Sequence, residues 1–269
     1  MNLMATKPKK RTAAEIGRIA KLLDDARRKA KAIPQLSSKK GGALNIEDAY
    51  RVQDAAVRLR VKNGDVRSGV KMGLTSRAKA AQMGVFEPVY GRLTAGMLVQ
   101  DGGGISHKDY CHPRVEGEVA YLLKSPMSGL LSPAEALAHV EAVAPAIEII
   151  DSRYKDFRFS LEDVVADNTS ASGYVLGPWA RPDIDTGNLG MVLEFNGRPV
   201  GIGSSAAILG HPARSLAEAA RFAAETGDEL KAGYIVLAGA AAEAVALTPD
   251  LTVKLTVEAL GSVSFNVAA

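Results

Sequence analysis

From Val66 onward the chain is built of short apolar runs broken by glycine: Gly69 to Leu74, Val115 to Leu123, Ala146 to Ile150, Gly173 to Leu176, Met191 to Phe195 and Tyr234 to Leu237. Runs this short, bounded by turn residues, suit strands better than helices. Asn196-Gly197, between Leu193-Glu-Phe195 and Arg198-Pro-Val200, is a hairpin signature, so part of the sheet is antiparallel. The alternating stretch Leu251 to Val267 is expected to close the sheet. Upstream the pattern is helical. Thr12-Ala-Ala-Glu15 forms a capping box opening a helix expected to run through Leu22 and Leu23 to Ile33, where Pro34 ends it. Asn45 caps a second helix that Asn63-Gly64 stops, and Leu36 to Gly42 reads as a flexible connection. Two further helices are expected, one at Ser132-Pro-Ala-Glu135 and one opened by Ser215-Leu-Ala-Glu218 and ended near Gly227. The fold class is therefore α+β, with a helical region over residues 1–65 and a β-rich region over 66–269 that carries the chemistry.

A chain of 269 residues, 47% of them hydrophobic, can bury one large core with a small appendage. No apolar run approaches the roughly 18 residues of a membrane span, and the start lacks the apolar segment of a secretory signal, so a cytoplasmic protein with no membrane partner is expected. One cysteine, Cys111, excludes an intramolecular disulfide framework and a thiolate zinc cluster. Basic residues concentrate in Lys7 to Arg11, Arg27 to Lys31 and Arg58 to Lys62, but most fall on helices that also carry acids, and aromatic residues are 5% of the chain. A solvated helix surface explains them better than nucleic-acid binding. Gly201-Ile-Gly-Ser-Ser-Ala206 follows a hairpin and so stands in the wrong context for a dinucleotide fingerprint. No nucleophile elbow is present. His107, His112, His139 and His211 lack zinc-ligand spacing, and His139 falls within the helix opened at Ser132.

The chemistry concentrates in acids. Glu116 and Glu118 are two residues apart in a strand and so share a face, opposite Val115, Gly117 and Val119. That spacing fits a solvated strand face as well as it fits a ligand pair. Glu148 favours the ligand reading, because Ala146-Ile-Glu-Ile-Ile150 is apolar around one acid. Three buried carboxylates would repel one another and neutralise unless a cation lay between them, and all-oxygen ligation suits magnesium or manganese. Lys71, in a short glycine-flanked run, reads either as a lysine snorkelling from a strand or as a cation that stabilises developing negative charge. Gly73-Leu-Thr-Ser76 offers backbone amides suited to an anion. Asp151, Arg153, Asp167, Asn168 and Ser170 form a dense polar cluster after the Glu148 strand, a candidate pocket wall built from ordinary turn residues.

Gly69-Val-Lys-Met-Gly-Leu-Thr-Ser76, Gln82-Met-Gly-Val85, Glu87-Pro-Val-Tyr-Gly91, His112-Pro-Arg-Val-Glu-Gly-Glu118, Glu148 to Phe157 and Asp163-Val-Val-Ala-Asp-Asn168 together resemble the hydratase/decarboxylase family of the fumarylacetoacetate hydrolase superfamily. The resemblance covers nearly the whole chain, and Asp151 to Ser160 carries its decarboxylase-like part. It implies a mixed β-sheet roll with an N-terminal helical lid. It implies that Glu116, Glu118 and Glu148 hold Mg2+ or Mn2+, that Lys71 lies beside the substrate, and that Leu74, Thr75, Ser76 and Ser170 help to bind substrate oxygens. The implied reaction is metal-dependent decarboxylation of the 2-oxo dicarboxylate 2-oxo-3-hexenedioate in aromatic meta-cleavage catabolism. The implied partners are further copies of the chain and a sister 2-oxopent-4-enoate hydratase. Hydratases of the family tend to carry an aspartate where this chain has Val89, and losing that acid removes a proton-transfer group for adding water. Hydratase activity, or a non-catalytic role beside the hydratase, are the alternatives. The strand-end loop Leu237-Ala-Gly-Ala-Ala-Ala-Glu243 departs from the family pattern, which usually has a threonine and glycines there.

Overall fold

The computed structural model describes residues 10–39, 41–76 and 87–269. The Gln82 to Val85 motif lies outside the described residues. Helix α1, Ala13–Arg28, starts as expected: Glu15 N donates to Thr12 Oγ1 at 3.3 Å and Thr12 N donates to Glu15 Oε2 at 2.8 Å. It ends well short of Ile33. Ala30 takes a positive φ of 46°, and the chain leaves the helix so that Ile33 can bridge to Tyr154, donating to Arg153 O and accepting from Lys155 N, each at 2.8 Å. Helix α2, Ile46–Lys62, is capped by Asn45 Oδ1, which accepts from Asp48 N at 2.7 Å.

Among the described residues thirteen strands follow, in two mixed sheets. The larger is built from β1 (Arg67–Gly73), β2 (Val89–Thr94), β3 (Leu98–Val99), β5 (Arg114–Leu123), β6 (Val140–Ile150), β7 (Ala171–Leu176), β10 (Ile235–Leu237) and β11 (Val245–Ala246). Its order is β2-β1-β10-β5-β6-β7-β3, with β11 paired to β5; β1/β10 and β3/β7 are parallel. The smaller holds β4 (Gly104–Ser106), β8 (Gly190–Phe195), β9 (Arg198–Ser204), β12 (Leu251–Val257) and β13 (Gly261–Ala268), in the order β4-β13-β12-β8-β9. Asn196-Gly197 joins β8 to β9, and β12 and β13 are the C-terminal hairpin, both as read from the chain.

Strand alternation divides the larger sheet cleanly. Val115, Val119, Tyr121, Ile147, Ile149, Val70, Met72 and Val236 enter the main core, which they share with Val253, Leu255, Val257, Val263 and Phe265 of the smaller sheet. Gly117 is needed there, since a Cβ on it would lie 2.7 Å from Leu255 Cδ1. The intervening residues point to the opposite face. Over part of that face lies a second core of Ile16, Ala20 and Leu23 from α1, Ala49 and Val52 from α2, and Val89, Tyr154, Val165 and Ala166, so the helical region packs directly against the β-rich one.

Among the described residues, three short or medium helices interrupt the strands: α3 (Pro133–Leu137), α4 (Leu161–Ala166) and α5 (Pro212–Thr226). Two helix readings need correction. Helix α3 ends before His139, whose Nδ1 instead meets Ser125 Oγ at 2.9 Å. Helix α5 begins ahead of Ser215: Pro212 occupies its first turn and His211 Nδ1 caps it by accepting from Ala213 N at 3.0 Å. Ser215 is therefore an interior helix residue, fully buried. No described helix is long and apolar enough to cross a membrane.

Candidate metal centre

Glu116 and Glu118 project from β5, and Glu148 projects from β6 directly opposite Glu116 in the antiparallel register. All three share the face turned away from the smaller sheet. One oxygen from each lies within 4.8 Å of the others. Glu118 and Glu148 are fully buried and Glu116 is 8% exposed, which removes the solvated-face reading. Lys71 reaches the same spot from β1 and sets its Nζ 2.9 Å from Glu148 Oε2, also donating to Thr169 O at 3.3 Å. It is a buried ion-pair lysine, so the snorkelling alternative falls too.

Formal charges of these four side chains sum to −2 when all are ionised, the charge one divalent cation would balance. Burial pushes the Glu118 carboxyl well above its ordinary range, and the neighbouring Glu148 pushes it further. Burial likewise raises Glu148, against the pull of Lys71. Burial alone would lower Lys71, but Glu148, Glu116 and Glu118 outweigh it and hold its ammonium above the usual lysine value. Among the described residues, Glu118 Oε1 and Glu148 Oε1 are buried without a hydrogen-bond partner. Orphaned carboxylate oxygens converging to this spacing fit a hard cation, whose ligand oxygens lie about 2.0–2.6 Å away.

Between the ordinary glutamate pKa of about 4.3 and the raised folded values, the native state holds protons that the unfolded chain has released. In a chelating buffer, stability should therefore fall as pH rises through that window; saturating Mg2+ should flatten the slope. Thermal unfolding across pH in both buffers checks it.

The backbone around the cluster is tightly fitted. Gly239, at φ 104°, donates its N–H to Glu118 Oε2 at 2.7 Å. A Cβ on Gly239 would sit 2.2 Å from Thr75 Oγ1, so Thr75, predicted from the sequence, stands beside the loop that serves Glu118. Thr75 is buried, and its carbonyl accepts from Leu209 N at 2.9 Å. Leu74 has a φ of 55° and packs against the helical core, and half-buried Ser76 ends the described part of this segment. Gly91, paired with Lys71 across β1/β2, lets Thr169 approach: a Cβ there would lie 2.2 Å from Thr169 Oγ1. Asn168, Thr169 and Ser170 all have positive φ, between 48° and 62°, an uncommon run for residues with side chains. The Thr169 and Ser170 hydroxyls are buried without hydrogen-bond partners among the described residues.

The rest of the polar cluster is engaged elsewhere. Asp151 accepts from Cys111 N at 2.9 Å and His112 N at 2.8 Å. Arg153 is locked to Asp167 at 2.5 Å, to the Asp167 carbonyl, and to Asp151 O at 2.6 Å. Burial pushes Asp167 up to about 6 even with that guanidinium beside it. Asn168 spends both ends of its amide on the backbone of Arg92, at 2.8 Å each. These four residues shape the loop that presents Thr169 and Ser170 rather than joining the carboxylates. Thr169 and the two glycines escaped the sequence reading; Thr169 lay inside the polar run, and only contact geometry sets it apart. Burial, with Asp151 adding to it, pushes the Cys111 thiol up to about 12, which keeps it in the weakly nucleophilic thiol form.

The family described as Fumarylacetoacetate (FAA) hydrolase C-terminal matches residues 53–268. A 4-oxalocrotonate decarboxylase of Pseudomonas sp is 53% identical over 252 residues, covering 94% of this chain and 98% of that protein. A 2-hydroxyhexa-2,4-dienoate hydratase of Comamonas testosteroni is 34% identical, with 83% of this chain and 86% of that protein covered. Among solved structures, 4-oxalocrotonate decarboxylase from Pseudomonas putida G7, complexed with magnesium and adipate, superposes with a TM-score of 0.92 at 35% identity, over 96% of this chain and 99% of that one. With the larger sheet, the helical cover and the carboxylate cluster all in place, this chain belongs to the fumarylacetoacetate hydrolase family.

Proposed function

We propose that this chain is a carboxy-lyase that converts 2-oxo-3-hexenedioate (4-oxalocrotonate) to 2-hydroxypenta-2,4-dienoate and CO2, with Mg2+ or Mn2+ held by Glu116, Glu118 and Glu148. The observation that carries the proposal is the buried convergence of those three carboxylates with Lys71. The 53% identity to a 4-oxalocrotonate decarboxylase supports the choice of substrate.

In this substrate the C6 carboxylate is vinylogous to that of a β-keto acid. When the C5–C6 bond breaks, its electron pair forms C4=C5, the C3=C4 pair moves to C2=C3, and the 2-oxo oxygen gains the charge and then a proton. Glu116, Glu118 and Glu148 would hold a divalent cation, which would supply Lewis-acid stabilisation of the developing enolate. Lys71 adds a fixed positive charge in a water-poor site, where charge stabilisation is strongest, and its ammonium can deliver the enol proton. The Thr169 carbonyl and Glu148 hold that ammonium in place. Leu74, Thr75, Ser76 and Ser170 are assigned to the substrate oxygens; the orphaned Ser170 hydroxyl supports that assignment. Helices α1 and α2 are assigned the role of the lid that excludes water.

Decarboxylation is favoured over hydration because a methyl of Val89 lies 2.9 Å from where a Cβ on Gly73 would stand, and that point is 3.6 Å from Lys71 Nζ. On the β2 side the ammonium therefore has a valine methyl near it, and β2 brings no acid there to activate water. The same proposal includes a cytoplasmic homo-oligomer that associates with 2-oxopent-4-enoate hydratase. The reactive dienol product, which that hydratase would consume, supports the association.

The test is an assay of the purified protein alone with 2-oxo-3-hexenedioate and Mg2+, following ultraviolet absorbance and evolved gas. The expected result is stoichiometric CO2 and 2-hydroxypenta-2,4-dienoate, abolished by chelator and restored by Mg2+ or Mn2+. Formation of 4-hydroxy-2-oxopentanoate from the dienol, without CO2 from the diacid, would establish the hydratase reading instead. Turnover of neither substrate would leave the chain a non-catalytic companion.

A further inference from the structure

The loop between β10 and β11 opens with Ala238, Gly239, Ala240, Ala241 and Ala242, a stretch with no polar side chain to fix its own backbone before Glu243. Yet one peptide group in it has a demanding task. The N–H of the Ala238–Gly239 peptide donates to Glu118 Oε2 at 2.7 Å. The carbonyl of the same peptide accepts from Ser215 Oγ at 2.6 Å. A trans peptide is planar, with its C=O and N–H pointing in opposite directions, so the two hydrogen bonds form one line: Ser215 hydroxyl, peptide plane, Glu118 carboxylate.

Gly239 makes this line informative. At φ 104° its backbone lies where glycine is permissive, so local conformation does little to stop the 238–239 peptide from rotating. Ala238 N is tied to Val119 O at 3.0 Å and Ala241 N to Gly117 O at 3.1 Å, which pins the loop on either side of that plane but bonds neither its C=O nor its N–H. Ser215 supplies the missing constraint. A serine in the interior of a helix commonly bonds back to the carbonyl one turn earlier. Ser215 instead sends its fully buried hydroxyl out of α5 to Ala238 O. Hydrogen bonds in series also polarise one another, strengthening the N–H that faces Glu118.

We infer that Ser215 is a positioning residue for the metal centre: through the Ala238–Gly239 peptide it orients Glu118 and sets the affinity for the divalent ion. The inference rests on the proposed reading of Glu118 as a metal ligand. Groups that orient metal ligands from behind typically change metal affinity about 10–100-fold when removed.

The experiment measures Mn2+ binding by calorimetry and thermal unfolding of the metal-free protein for wild type, Ser215→Ala and Ser205→Ala. Ser205 is the control: it is fully buried, donates to Thr186 O at 2.7 Å and accepts from Leu189 N at 2.7 Å, and neither bond leads to the carboxylates. Ser215→Ala is expected to weaken Mn2+ binding about tenfold. Ser205→Ala is expected to lower the melting temperature while leaving Mn2+ affinity as in wild type. Wild-type affinity in Ser215→Ala, or equal weakening in both variants, overturns the inference. Failure of the wild type itself to bind Mn2+ overturns the metal-centre reading instead. Should Ser215→Ala not fold, Ser215→Cys, which keeps the size but donates weakly, is expected to fall between wild type and tenfold weaker, and unchanged affinity in it counts against the role.

Discussion

Lys71→Met is expected to destabilise the metal-free protein by about 3–5 kcal/mol and to cut turnover by about 100- to 1,000-fold. The first effect arises because the only cation described at the carboxylate cluster disappears while three buried acids remain. Its sign is secure at neutral pH. The folded Lys71 value is raised, so the lysine's contribution is fully present below the unfolded value of about 10.4 and is lost only as pH rises through the folded one. Excess Mg2+ should restore much of the stability, since it replaces the lost positive charge, but should leave turnover low. Unfolding at pH 7.5 with chelator and with Mg2+, paired with the CO2 assay, checks both halves. Stability recovered together with activity would mean that Lys71 is a structural counter-ion and no more.

Gly91→Ala is expected to lower turnover by about 100-fold while changing Mg2+ affinity little. Gly91 does not have a positive φ, so alanine meets no backbone objection; the effect is purely one of space. The added methyl would meet Thr169 Oγ1 at 2.2 Å and both Asn168 O and Lys71 Cδ at 3.0 Å. Overpacking of this kind costs about 1–3 kcal/mol and moves what it touches. Here it displaces the Thr169 carbonyl that holds the Lys71 ammonium. Adding Thr169→Ala removes the closest contact and should return part of the rate. Steady-state kinetics and calorimetric Mg2+ binding on the single and double variants separate this outcome from a general loss of fold.

The centre was legible where physical periodicity is strict. Strand alternation alone puts Glu116 and Glu118 on one face, and an acid inside an apolar run, as at Glu148, announces a buried charge in need of a partner. The register that places Glu116 opposite Glu148 is tertiary and had to be seen. Lys71 was readable as a choice between two environments, and the ion pair at 2.9 Å decides it. Asp151, Arg153, Asp167 and Asn168 show the limit of composition: polar residues crowded after a strand can serve either ligand or backbone, and here their hydrogen bonds go to the protein. The end of α1 is not legible locally: Pro34 is a local signal, whereas the Ile33 bridge to Tyr154 that draws the chain out of the helix is long-range. Ser215-Leu-Ala-Glu218 is a genuine helix-start pattern, but Pro212 and His211 begin the helix ahead of it.

The face-to-face pairing of Glu116 with Glu148 makes cation binding a reporter of chain alignment. Sliding β6 by one residue along β5 would send Glu148 into the apolar interior and bring an isoleucine out in its place. A misaligned sheet could still bury its hydrocarbon, but it could not gather three oxygens around one ion. On the proposed reading of the centre, a divalent cation would bind the correctly threaded molecule in preference to one with a shifted strand, and so would check registry during maturation.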